Sequence, residues 1–198
     1  MPRPNVEAER RKQILEAACA VIAKAGLQQL RVSDVAAEAG VSSGTIHYYF
    51  DSKKDLVAAA FEYNFAASVR RRRWLRESTV DPLRRLHDIV ESYLPTTRKS
   101  LQAWRVWAEL WAEGARDPAL QKVNDELYGQ WREVVRDAIE AAQHTGVARP
   151  GDPTRLANML VAMMDGLAVQ VLLRSKNMQV ATMRATCRAF VDDHLALH

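Results

Sequence analysis

The sequence predicts an all-α protein of about nine helices, short ones first and long ones after. Three observations carry that expectation. Glycine and proline number only 8 and 7 in 198 residues while alanine and leucine abound, a composition that favours helix throughout. Apolar residues recur at intervals of three and four. No segment alternates apolar with polar residues over the length that a half-buried strand needs.

Composition also bounds the class. A hydrophobic share of 48% with 26% charged residues fits an ordinary soluble protein of one or two small domains. The formal charge of +4 permits a nucleic-acid partner without demanding one. Cys19 and Cys187 lie far apart, each among apolar helical residues, and read as small buried thiols rather than a disulfide or a nucleophile. The opening "MPRPNVEAERRKQ" has basic residues but no apolar stretch behind them, unlike a signal peptide. "LANMLVAMMDGLAVQVLL" is interrupted by Asn158, Asp165 and Gln170 and reads as a helix buried in protein, not a membrane span. A cytoplasmic protein with no membrane partner is expected.

The elements follow in order. From Glu7 to Ala25, Ile14, Leu15, Ala18, Val21 and Ile22 hold helical spacing, and Gly26 ends the run. "RVSDVAAEAG" is a short second helix with Val32, Val35, Ala36 and Ala39 inward and Gly40 as its stop. Ser42 stands where an N-cap belongs, opening a third short helix that reaches about Phe50. "DSKKDLVAAAFEYNFAASVRRRRWL" is a fourth helix, capped by Asp51 or Ser52. Beyond Asp81-Pro82, long amphipathic segments are divided by Pro95, by Arg116 to Pro118 and by Thr145 to Pro153. Asp117-Pro118 and Asp152-Pro153 each pair an N-cap with proline at the first helical position.

The second and third helices, joined by "AGVSS", have the layout of a helix-turn-helix. Ala36, Ala39 and Gly40 allow a close crossing that Val41 and Ile46 fill. That packing leaves Ser43, Gly44, Thr45, His47 and Tyr48 on the outer surface, with side chains suited to base edges and phosphates in a major groove. Lys53 opens the next helix, in reach of a phosphate outside the groove. An ordinary helical hairpin with a polar face is the alternative on spacing alone.

The longer run from Arg10 to Val57, with Ile14 to Ala18, Gly26, Val35-Ala36, the "AGVS" turn, "YYF" and the Lys53–Leu56 pair, closely resembles the N-terminal domain of the tetracycline-repressor (TetR) family. The resemblance implies a DNA-binding domain over residues 1–52 and a ligand-binding and dimerisation domain over 53–198. It implies base-reading positions at Ser43, Thr45, His47 and Tyr48, and phosphate contacts at Ser33, Tyr49 and Lys53; Ser42 and Gly44 complete the expected surface. Two residues depart from the family pattern. Arg31 replaces the threonine that usually caps the second helix, and it would reach a phosphate instead. His47 replaces the customary tyrosine.

In the second domain Trp104, Trp107 and Trp111 are spaced i, i+3 and i+7 and share one helical face. They make either a core stripe or the wall of a ligand cavity, with Phe61, Phe65, Tyr93, Tyr128, Trp131, Met159 and Met163 as further lining. The "AW…LWAE…DP" arrangement and "MMDGLAVQVLL" are similar to the C-terminal domain of choline-sensing betaine-pathway repressors. That likeness implies an aromatic box for an amine or quaternary ammonium, with Glu109, Glu113 or Asp165 as countercharge. Arg70 to Arg73 read as a solvated helix end, since four successive residues at about 100° apiece sweep most of a helix. An arginine turned inward would favour an anionic ligand instead. His194 and His198 have metal-binding spacing but no third ligand nearby, and neither a metal nor a cofactor is expected.

The Leu156–Leu173 segment is apolar around nearly its whole circumference. Leu156, Leu160, Leu167 and Val171, with Met183, Cys187 and Phe190, form the expected dimer interface. In the resembling family the last two helices pair into an intersubunit four-helix bundle. The expected function is a homodimeric repressor on a palindromic double-stranded DNA operator, released by a small effector that moves the fourth helix. The rivals are a regulator controlled by a protein partner, and a small helical enzyme using Glu109 or His87 as base.

Overall fold

The computed structural model describes residues 3–72 and 81–197, with side chains described from Val6 onward. Among the described residues there are nine α-helices: α1 (Arg3–Ala25), α2 (Val32–Ala39), α3 (Ser43–Tyr49), α4 (Lys53–Arg71), α5 (Pro82–Tyr93), α6 (Arg98–Gly114), α7 (Pro118–His144), α8 (Pro153–Leu172) and α9 (Val180–Phe190). A π-helical turn, Val191–Leu195, follows α9. The chain divides into two compact units, one of Met1–Val69 with Arg105–Asp125, the other of Arg70–Trp104 with Glu126–His198. The fourth helix, expected to run on to Leu75, ends at Arg71 with Arg72 in a turn, and residues 73–75 lie outside the described residues.

Helix ends follow the local chemistry of the sequence. Gly40 ends α2 in the left-handed region at φ 64°, where a side chain would be strained. The N–H of Val41 then returns to the Ala36 carbonyl at 2.9 Å. Ser42 caps α3, its Oγ accepting the Thr45 N–H at 3.0 Å, and Ser52 caps α4 by accepting from Asp55 N. Asp81, Asp117 and Asp152 each accept a backbone N–H two residues on, with proline between. Such caps contribute about 1 kcal/mol each.

In the first unit the inward faces of α1, α2, α3 and α4 meet. Ile14, Ala18, Ile22, Val35, Ile46, Leu56, Ala60 and Phe61 are all at or near zero exposure, and Val106, Leu110 and Leu120 belong to the same cluster. Each large apolar side chain so buried stabilises by roughly 1.5–3 kcal/mol. This unit extends beyond residue 52 because the first half of α4 supplies part of its core.

The second unit buries Leu86, Ile89 and Val90 of α5, Val135 and Ile139 of α7, Leu160, Val161 and Met164 of α8, and Met183 and Cys187 of α9. Its tail is held by an isolated antiparallel bridge between Ala148 and Ala196 and by the Arg149 Nε bond to the Ala196 carbonyl at 3.0 Å. Cys19 and Cys187 are both buried free thiols, and the Cys19 thiol donates to the Ala60 carbonyl.

Candidate functional site

The first candidate surface is the outer face of α3. Val35, Ala36 and Ala39 face inward from α2, and Ile46 is the buried residue of α3. With that face committed to the core, Ser43, Gly44, His47 and Tyr48 are left exposed and Thr45 half-exposed. Thr45 Oγ1 is 2.9 Å from Ser42 Oγ, so the cap also orients the hydroxyl that faces outward. Tyr48 is 74% exposed, a large apolar ring standing in solvent, and it meets Tyr49 edge to face with centroids 5.1 Å apart. Gln13 of α1 reaches the last carbonyl of α2, donating to Ala39 O at 2.6 Å, which fixes the helix pair against α1.

Around this face, Arg31, Ser33 and Lys53 are exposed and Tyr49 is half-buried against the core. Arg31 occupies the N-cap position of α2 in extended geometry and makes no side-chain cap bond; its guanidinium is left for another partner. A Cβ at Gly44 would meet only Ser42 Oγ at 3.7 Å. Packing within the chain therefore does not require the glycine, and its absent side chain keeps the outer face low.

The second candidate site lies within the C-terminal unit. Tyr93, at the end of α5, is 7% exposed and its carbonyl accepts the Trp104 indole N–H at 2.8 Å. The Trp104 ring stands edge to face on Tyr93 at 4.9 Å. Trp131 of α7 stacks on Tyr93, the planes 8° apart and the centroids 5.3 Å apart. Tyr93 donates to Asp165 Oδ1 at 2.5 Å, and Tyr128 donates to Asp165 Oδ2. Four aromatic rings and one carboxylate thus converge from α5, α6, α7 and α8.

Burial raises the Asp165 carboxyl above the usual carboxylate range, against the opposing pull of the two tyrosine hydroxyls. Burial likewise pushes the Tyr93 and Tyr128 phenols up, and the Asp165 charge adds to both. Among the described residues no cationic side chain forms an ion pair with Asp165. The Trp131 indole N–H is also buried without an acceptor among them. A half-buried carboxylate beside aromatic faces has the chemistry that suits an organic cation, and the spare indole donor that of a partner for an oxygen on it.

One arginine enters this box. Arg70 and Arg71 are exposed, as a solvated helix end requires, but Arg72 turns inward and Arg73 lies outside the described residues. The Arg72 Cζ stands 4.5 Å from the Trp131 ring centroid and 5.3 Å from that of Tyr93. Of the two expectations for the arginine run, a solvated helix end fits Arg70 and Arg71, whereas Arg72 is the inward arginine of the alternative, its aliphatic stem and planar head finding ring faces to cover.

The other expected lining residues are distributed differently. Phe65, Trp107 and Trp111 belong to the N-terminal unit, where Phe65 and Trp107 meet edge to face at 6.3 Å and Trp107 lies 6.1 Å from Trp111. Phe61 is buried in that unit's core. Met159 is 46% exposed; Met163 is half-buried, about 200° around α8 from Asp165. Of the three acidic candidates, Glu109 accepts the Leu27 backbone N–H at 2.7 Å and Glu113 accepts from Gln28 and Arg116. Only Asp165 sits among the rings. His87 faces Asp192 at 2.9 Å, in a different unit from Glu109. His194 lies against Phe190, and His198 is outside the described residues.

On the expected interface, Leu160, Met183 and Cys187 are fully buried within their own unit, so they support the chain's own core and present nothing outward. Leu156, Leu167, Val171 and Phe190 are partly exposed. Among the described residues α8 is the one helix long and apolar enough to cross a membrane by length and composition, yet only 28% of that stretch is buried. Its exposed stripe runs Met159, Ala162, Gly166, Gln170 and Leu173.

Two family models match the chain. One, for the tetR family of bacterial regulatory proteins, matches residues 14–60. The other, for the C-terminal part of BetI-type transcriptional repressors, matches residues 82–196. The chain belongs to the TetR family of transcriptional regulators, with a BetI-type C-terminal half. A BetI regulator of Proteus mirabilis is 30% identical over 100% of this chain and 97% of its own length. One from Chromohalobacter salexigens is 28% identical over 98% of this chain and 93% of its own. A crystal structure of a transcriptional regulator from Saccharomonospora viridis in complex with choline superposes with a TM-score of 0.90 at 33% identity, covering 96% of this chain and 100% of that one. A TetR-family regulator from a Rhodococcus species superposes at 0.82 with 30% identity, covering 93% and 98%. As a TetR regulator the chain carries a DNA-binding helix-turn-helix in its N-terminal part, followed by a BetI-type C-terminal half.

Proposed function

We propose that the protein represses transcription as a cytoplasmic homodimer on a near-palindromic operator and is released by choline or a closely similar quaternary ammonium compound. The observation that carries the effector is the box itself. Tyr93 and Tyr128 donate to Asp165 while Trp104 and Trp131 pack on Tyr93, and Asp165 is a half-buried carboxylate with no cationic side chain paired to it among the described residues. A quaternary ammonium has no N–H to satisfy, so ring faces serve it better than hydrogen-bond acceptors do. Its charge would pair with Asp165, and its hydroxyl oxygen could accept from the Trp131 indole. The choline bound by the Saccharomonospora viridis regulator supports the same chemistry.

On the DNA side, Ser43, Thr45, His47 and Tyr48 read base edges, while Arg31, Ser33, Tyr49 and Lys53 hold phosphates. The exposed stripe of α8, apolar at Met159 and Leu173 with small Ala162 and Gly166 between, meets its copy across a two-fold axis. Choline is the first compound to test. Titrated into the purified protein, it should change tryptophan fluorescence and over the same concentration range release operator DNA in a gel-shift assay. Asp165→Asn should remove both responses and leave operator binding without choline intact. Operator binding that ignores millimolar choline overturns this effector.

A further inference from the structure

We propose that the Arg72 guanidinium is the resident occupant of the cation site in the aromatic box, so that an effector cation binds by displacing a charge the protein itself supplies. The inference rests on reading that box as the effector site. It names what holds the site before the effector arrives.

The geometry is that of a ligand. The Arg72 Cζ lies 4.5 Å from one ring centroid and 5.3 Å from another, those of the stacked pair Trp131 and Tyr93. Both separations are inside the roughly 6 Å over which a cation is drawn to an aromatic face. An ammonium drawn to those same ring faces would compete with the guanidinium for them.

The way Arg72 is held is that of an exchangeable group. A buried guanidinium ordinarily takes a carboxylate in a bidentate pair. Here, among the described residues, Nε and Nη2 both donate to one neutral acceptor, the Ser92 carbonyl, each at 3.3 Å. The carboxylate of the box, Asp165, instead takes its hydrogen bonds from Tyr93 and Tyr128. Burial pulls the Arg72 pKa down to about 10, so the charged head is held at some cost. Its neighbours in sequence, Arg70 and Arg71, are exposed, and Arg72 itself keeps part of its surface in solvent.

Two states follow, one with Arg72 in the box and one with it in solvent, and the effector binds only the second. If the occupied state holds about nine-tenths of the molecules, apparent effector affinity is about tenfold below that of the vacant box. Arg72 is also the residue after Arg71, the last of α4. Its expulsion therefore acts on the chain where α4 ends.

The test uses the full-length protein with two variants and two probes. Arg72→Gln removes the charge and keeps a donor for the Ser92 carbonyl; Arg72→Ala vacates the place. Choline chloride titrated by tryptophan fluorescence should bind both variants about tenfold more tightly than wild type. Methylguanidinium chloride, a free copy of the displaced head, should raise the melting temperature and change the fluorescence of Arg72→Ala at concentrations that leave wild type unchanged. Equal choline affinity in all three folded proteins, with no preference of methylguanidinium for Arg72→Ala, overturns the inference and leaves the choline reading standing. Loss of glycine betaine binding in Arg72→Gln with choline binding unchanged overturns it too, because Arg72 would then hold a ligand carboxylate. If choline binds none of the proteins but methylguanidinium selects Arg72→Ala, the choline reading falls and the resident cation stands. If neither probe binds any of them, both fall.

Discussion

Burial raises the Asp165 carboxyl pKa although two tyrosine hydroxyls donate to it and pull the other way. A carboxyl raised in the folded state costs stability above its folded pKa, and that cost vanishes below the unfolded one. Asp165→Asn is therefore expected to raise the melting temperature at pH 7, with a gain that shrinks as pH falls through the window between the raised value and the ordinary carboxylate range. An effector cation reverses the preference by stabilising the ionised form. Choline affinity should accordingly fall on acidification through the same window, and isothermal titration at several pH values would read it. On the DNA side, His47→Ala should relax base preference at a cost of about 1–3 kcal/mol, whereas Lys53→Ala should weaken all sequences alike and reduce the salt slope. Binding measured on base-substituted operators at two salt concentrations separates them. A base preference altered by Lys53 and not by His47 would mean that α3 lies in a different register. Asp165 was one of three acidic candidates in the sequence. Spacing gave no way to see that Glu109 and Glu113 are already bound to Leu27, Gln28 and Arg116.

Elements were the most legible level of this chain, because their ends are written in local chemistry. Gly40, Ser42 and the Asp-Pro pairs at 81, 117 and 152 each act on the backbone within two or three residues. What periodicity supplies is a face; it does not name the neighbour. Trp104, Trp107 and Trp111 do share a side of α6, yet Trp104 joins the C-terminal unit and the other two the N-terminal one. Arg72 was hidden for a similar reason: four arginines in a row have no period, and the one that turns inward is chosen by ring faces far along the chain. In α8 the apolar circumference was visible, while the division between Leu160 inward and Met159 outward depends on what α9 covers. The outward stripe gives a prediction at this scale. A Cβ at Gly166 would meet nothing within 4 Å in the single chain, so Gly166→Glu should keep full helix content by circular dichroism. The same substitution should yield a monomer by light scattering at micromolar concentration. A dimer that survives it places the interface elsewhere.

At the scale of the whole molecule, the proposed homodimer would present a two-fold pair of α3 helices and so call for a two-fold DNA site. The operator should be a near-palindrome with half-sites about one helical turn apart, roughly 34–36 Å, or a multiple of it. Footprinting with synthetic spacers should show affinity returning each time a full turn is added. The two native cysteines bear on how such a separation could be measured. Both are buried, and burial lifts the Cys19 thiol to about 12 and that of Cys187 to about 11. At neutral pH their thiolate fractions are therefore on the order of one in ten thousand or less, and alkylating reagents act on thiolates. The wild-type protein is thus expected to take little label, which a thiol-reagent control would check. A single cysteine introduced at an exposed position such as Glu38 of α2 would be the only one to take a spin label. The label-to-label distance in the proposed dimer, read by pulsed resonance with and without choline, would then test whether the effector changes the separation of the two α3 helices.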